Sequence, residues 1–417
     1  MFEKFCYSIL SPCQGLLVVG INMLLSNCGY GIGLTSPMIS QLYQENLLQE
    51  NMASWFASSL VLGQIIGSLF GAWLANRVGR KRVCIGSGLL SMIGWLILAG
   101  SQYQWMLILG RVWTGLLDCL IVPAGIMFIS EASELRLKGS FLNSTAIASG
   151  LGIALANLIG CSCYWRLACL PPILNCLLGV AMMFFCHESP VYLLMKREDA
   201  SDSLEWYREL LTEDDKDRLE VQKELKEMEE EISSSDKSLR EVMKDLFQGE
   251  NLRAYLIVGT LFMLFPLTGC YTITFFAVEL FKKLDLGGAE TVAIVTAFAR
   301  CLGTSLSSVL LYKFGRRKLM IVSTGVVTLI MTTLASLVAI REVGVEMNST
   351  LLCWALTLLI ILFMFCVGLG LVSLPWVLMG KSPLSSVISV SMSSQPSGSP
   401  RTSSPRSPAP SSPSSSS

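Results

Sequence analysis

Charge is scarce in this chain. Asp, Glu, Lys and Arg make up 15% of 417 residues, hydrophobic types make up 52%, and histidine occurs once. A soluble globular chain carries about a quarter charged residues, so that class is excluded. His187 stands alone in a loop and the cysteines lack metal-ligand spacing, so no metal centre is indicated. A GxxxxGK phosphate loop is also missing, which leaves an ATP-driven mechanism unsupported. Neither enzyme chemistry nor a cofactor is expected.

What fills the chain instead is apolar sequence in bilayer-length runs of about 20 residues. Ten candidate spans lie at 12–38, 53–75, 83–101, 104–129, 140–162, 167–186, 254–281, 290–312, 318–340 and 351–379. An all-α polytopic membrane protein follows, because a chain in lipid must satisfy its backbone polar groups within each segment. The first run is far longer than the apolar core of a signal peptide, so it is expected to stay as a helix. Most of the 14 cysteines fall inside spans, where a thiol packs as a small hydrophobe. Cys161 and Cys163, near an outer loop, stand apart.

Lys and Arg set the orientation, because positive loops stay cytoplasmic. Lys4, Arg77, Arg80, Lys81, Arg82, Arg136, Lys138, Lys313, Arg316, Arg317 and Lys318 fall on one side, and only Arg166, Lys282, Lys283 and Arg341 on the other. Both termini are therefore expected in the cytoplasm. Of two glycosylation sequons, Asn348-Ser-Thr falls outside and is the candidate; Asn143-Ser-Thr opens a span on the cytoplasmic side.

Two basic loops, ANRVGRKR at 75–82 and YKFGRRKL at 312–319, occupy equivalent points in successive helix groups. Such a repeat suggests two related bundles that alternate access around a central site. The expected units are a six-helix bundle (1–186), a cytoplasmic helical connector (187–252), a four-helix bundle lacking two helices (253–380) and a disordered Ser/Pro-rich tail (381–417). Glu220–Ile232 in the connector interleaves Glu and Lys, as a solvated surface helix does. Gly63, Gly67 and Gly71 recur every fourth residue in the second span, a device for close helix packing.

Several motifs resemble the sugar porter family of the major facilitator superfamily. GAWLANRVGRKR (71–82) and LLYKFGRRKL (310–319) are similar to its paired GxxxDRxGRR loops, LGRVWTG (109–115) to its fourth-span GR motif, and ISEASELRLKG (129–139) to SExxPxxxRG. HESPVYLL (187–194) resembles PESPRYLL, LPWVLMG (374–380) resembles PWxxxxE, and GYGIGLTSP (29–37) points to insect-type facilitated trehalose transporters. The resemblance covers residues 12–380 and breaks at Lys381, where the family has glutamate. The switch there to serine-rich sequence reads as an altered reading frame or alternative exon.

The resemblance implies a cytoplasmic gate made of Asn76, Arg77, Arg80, Arg111, Glu131, Lys138, Arg316 and Arg317. Arg111 and Glu131 are expected in the cytoplasmic half of the fourth span and at its end, as gate or as structural anchor. Asn76 and Tyr312 replace family acids; Asn76 keeps the capacity to hydrogen-bond. Lys138 keeps the family arginine's charge without its bidentate fork. Asp118 has no family counterpart and is either paired with Arg111 or protonated, or else couples transport to protons. The first-span acid of proton-coupled sugar porters is absent, which favours facilitated transport.

For the substrate, the resemblance implies a site in which most sugar-binding amides are lost. Phe265, Pro266, Tyr271 and Ala146 stand where the family has glutamines or asparagine, while Trp376 keeps its expected side chain. Pro266 is expected to break the seventh helix and free backbone carbonyls. Arg300, fifteen residues before Gly315, stands where the family places a sugar-contacting asparagine. It either faces a ligand or pairs with Glu279 or Asp118. Thr145, Tyr271, Thr272, Arg300 and Trp376 form the candidate polar set, against an alternative of apolar walls packed for structure. The implied function is facilitated transport of a sugar such as trehalose across the plasma membrane, with sugar and lipid bilayer as partners and no nucleic acid. Two other readings stand: a transport-incompetent truncated product acting as partner or decoy, and an anion carrier built on Arg300.

Overall fold

Long apolar runs become helices here because only internal hydrogen bonding satisfies the backbone in lipid. The computed structural model describes residues 12–134, 137–208, 223, 225–230, 249–283, 288–342 and 349–372, and every regular element among them is helical. The first half contains α1 (Pro12–Gln44), α2 (Glu50–Val78), α3 (Arg80–Ala99), α4 (Gln104–Ala132), α5 (Lys138–Ser162), α6 (Trp165–Ala168) and α7 (Leu170–Phe185). Helices α6 and α7 together make the sixth span, Trp165–Phe185. Short helices α8 (Pro190–Met195) and α9 (Ser201–Arg208) follow, and then α10 (Gly249–Leu267), α11 (Cys270–Lys283), α12 (Ala289–Phe314), α13 (Arg316–Glu342) and α14 (Ser349–Cys366), the last running into a π-helix at Val367–Val372. Nine helices among the described residues are long and apolar enough to cross a membrane.

The seventh span is broken next to Pro266, as expected from its sequence. It is two helices, α10 and α11, parted at Thr268–Gly269, with Gly269 at φ +81°. Pro266 lies just before the break, within the last turn of α10. A proline there removes one N–H, and the left-handed glycine lets the chain restart. In the expected connector helix only residues 223 and 225–230 are described; they are helical, with Lys223 and Glu227 4.0 Å apart.

Glycine sets how closely the first-half helices approach. A Cβ on Gly63 would lie 2.3 Å from the Val112 carbonyl oxygen, one on Gly67 2.1 Å from that of Leu116, and one on Gly71 2.6 Å from Pro123 Cγ. Helices α2 and α4 therefore touch backbone to backbone, which strengthens dispersion contacts where lipid offers no hydrophobic gain. Helices α1 and α5 do the same through Gly29 and Gly152. Large apolar side chains such as Leu69, Trp73, Leu177, Phe185, Ile321 and Leu329 point outward and are exposed, as a lipid-facing surface requires.

Both basic loops fold alike. Gly79 (φ +118°) separates α2 from α3 and Gly315 (φ +76°) separates α12 from α13, each a single left-handed residue between two helices. The two halves meet through α1 against α11 and α5 against α12. These contacts lie away from the basic loops: Ser36 Oγ accepts from the Val278 N–H at 2.8 Å, and Lys282 Nζ donates to Ser40 Oγ at 2.5 Å.

Candidate transport site and gate

At the basic-loop end of the first half, Arg80 forks onto Glu131. Its Nε and Nη2 each donate at 3.0 Å to separate carboxylate oxygens, joining the start of α3 to the end of α4. Arg80 is fully buried and Glu131 nearly so, which makes the paired geometry necessary. The HESP motif closes around this pair. The Ser189 hydroxyl donates to Glu131, its oxygen caps α8 at the Tyr192 N–H, and the Tyr192 ring lies 5.0 Å from the Arg80 guanidinium. Glu188 accepts from the Lys81 N–H at 2.9 Å. A side chain on Gly79 would meet Glu188 at 2.6 Å, so glycine there serves both the turn and the contact. Tyr207 donates to the His187 carbonyl at 2.6 Å. Burial, with Cys186 and Glu188 adding to it, pushes its phenol well above the usual range, so it stays a donor.

Other expected gate residues fall differently. Arg111 is not in this cluster: it stands near the start of α4, twenty residues before Glu131, about 30 Å along a helix. It donates to the Gly31 carbonyl at 2.6 Å and lies 4.6 Å over the Phe56 ring, anchoring α4 to α1 and α2. Asp118 accepts from Ser91 at 2.6 Å and forms no ion pair with Arg111. Asn76 is buried, yet neither polar atom of its side chain has a partner among the described residues. Arg77 is exposed and lies over Trp73 at 5.3 Å, Lys138 is half-buried at the start of α5, and Arg317 is exposed. The Arg316 side chain, Asn348 and Trp376 lie outside the described residues.

Between the halves sits a small pocket. Ile153 and Asn157 of α5 line one side, Ile273, Thr274 and Ala277 of α11 and Thr296, Ala297 and Arg300 of α12 the other. Its free volume is about 10 Å³, roughly what one water centre needs. Arg300 is 6% exposed, donates to Thr274 Oγ1 at 3.4 Å and lies 5.9 Å from the Tyr271 ring. No ion pair joins it to Glu279 or Asp118 among the described residues.

Of the expected polar set, Arg300 and Tyr271 come together, while Thr272 faces outward. Thr274 takes its place. Thr145 is buried but bonds to the Leu142 carbonyl at 2.7 Å, and it lies eight residues, about 12 Å, along α5 from Ile153. Asn157, missed from sequence because it falls in none of the motifs the resemblance rests on, contributes an Oδ1 without a partner among the described residues.

The model of the family described as "Sugar (and other) transporter" matches residues 18–395, past the expected limit at 380. Sugar transporter ERD6 of Arabidopsis thaliana is 26% identical over 358 residues, covering 85% of this chain and 70% of that protein. Facilitated trehalose transporter Tret1 of Bombyx mori is 21% identical, covering 88% and 72%. The proton:xylose symporter XylE with bound 6-bromo-6-deoxy-D-glucose superposes with a TM-score of 0.72 at 18% identity, over 92% of this chain and 86% of that one. A partially occluded inward-open XylE from E. coli also gives 0.72, at 16% identity, over 92% and 89%. The fold is thus that of the major facilitators, with nine membrane-length helices among the described residues. The chain is an integral membrane protein, not an enzyme, and belongs to the sugar (and other) transporter family.

Proposed function

We propose that this protein moves a sugar down its gradient by alternating access, rocking its two halves about the pocket between α5, α11 and α12. The observation that carries this reading is the pocket itself, which takes Asn157 from one half and Thr274, Thr296 and Arg300 from the other. Hydroxyl and amide groups suit a polyhydroxyl ligand, and Tyr271 adds an aromatic face beside them. The halves touch at the end away from the basic loops, so the cavity opens toward those loops. By the positive-inside rule that side is the cytoplasm, with both termini on it, and the membrane is the plasma membrane. The Bombyx mori relative makes trehalose the first sugar to try.

Purified full-length chain in proteoliposomes tests this. We expect saturable counterflow of labelled trehalose or glucose without an imposed proton gradient. Exchange no faster than in protein-free vesicles would contradict the reading.

A further inference from the structure

Arg300 places a permanent charge in the middle of a membrane span with no ion pair among the described residues. It stands eleven residues into α12, 6% exposed. An intramembrane arginine normally finds a carboxylate partner, because an unpaired charge in low dielectric is costly. Among the described residues its contacts are one long hydrogen bond to Thr274 and the Tyr271 ring. Most of its five donors therefore have no acceptor among those residues. A second observation comes from the opposite half: Asn157 is 2% exposed, lines the same pocket, and its Oδ1 lacks a partner among the described residues. The Thr274 and Thr296 hydroxyls donate to the Cys270 and Val292 carbonyls at 2.7 Å each. Their protons being so used, both oxygens have acceptor capacity, and that of Thr274 already takes the Arg300 donor.

The residues lining the pocket supply two acceptors not already bonded, on Asn157 and Thr296, a third on Thr274 shared with Arg300, and one cation for a ligand anion. We infer that the substrate is a sugar acid, a polyhydroxyl ring bearing one carboxylate, with that carboxylate on the Arg300 guanidinium. The assignment rests on the transport reading and narrows its substrate. Arg300 is the one charged residue lining the pocket among the described residues. A monoanion balances it, whereas a phosphate monoester, at about −1.5 to −2 charge, would bring surplus charge into the span. A neutral sugar would leave the guanidinium unbalanced when the halves close and water is expelled.

Proteoliposome uptake of labelled D-glucuronate, D-glucose and glucose 6-phosphate, beside equilibrium binding of labelled glucuronate in detergent, tests the inference. Wild type should take up glucuronate at least about tenfold faster than the other two, a margin that one charge-assisted pairing supplies. Arg300→Gln should lose that preference, and a monodisperse gel-filtration profile with a melting temperature close to wild type in detergent reports a folded carrier. Arg300→Lys should retain part of it. Equal or faster movement of glucose or glucose 6-phosphate by wild type, or unchanged glucuronate flux in Arg300→Gln, would overturn the inference and leave transport standing. If no solute crosses, the transport reading falls. Saturable glucuronate binding lost in Arg300→Gln would then still support the assignment, and no binding would overturn it.

Discussion

Among single residues, the Arg80–Glu131 pair has the most at stake. Both groups are buried and bonded through two parallel hydrogen bonds of 3.0 Å, so removing one partner strands the other's charge. Glu131→Gln should destabilise the folded protein by about 3 kcal/mol, read as a fall in melting temperature in detergent. Arg80→Lys should lose part of that, since lysine has charge but no fork. Melting temperatures unchanged by either substitution would contradict this account. Both members sit in motifs of the family the sequence resembles and were expected in the gate, but the sequence did not pair them. Arg111 does not join them: its charge drew it to the gate, yet its place at the start of α4 puts it at the opposite end of the same helix. Direction along a span separates two residues that sequence motifs group together.

Elements here are held together by absence of side chains as much as by their presence. Gly67 touches the Leu116 carbonyl so closely that a methyl group would sit at 2.1 Å, whereas Gly86 has open space around its Cβ position. Gly67→Ala must push α2 from α4 and should cost about 1–3 kcal/mol. Gly86→Ala on α3 should be neutral or stabilising by up to about 1 kcal/mol. Thermal unfolding of the two variants checks the contrast, and equal losses would remove the packing explanation. The fourfold glycine spacing made this contact legible, and hydropathy placed nine of the ten spans. In the seventh, Pro266 marked the break in sequence, but the motif did not say which threonine would meet Arg300, and only the fold shows Thr272 outward and Thr274 against it.

For the whole molecule, the two similar glycine turns and the contacts of α1 with α11 and of α5 with α12 describe a device with two ends. One end carries the basic loops. The other is latched by Val278 on Ser36 and Lys282 on Ser40. Alternating access requires that latch to part in every cycle, which makes it the place to test the central claim. In the double variant Ser40→Cys with Lys282→Cys, a short thiol-specific cross-linker should bridge α1 to α11. We expect bridging to abolish sugar uptake in proteoliposomes, cleavage of the linker to restore it, and each single variant to be unaffected by the same reagent. Full uptake with the bridge closed would contradict the claim that the halves move apart there.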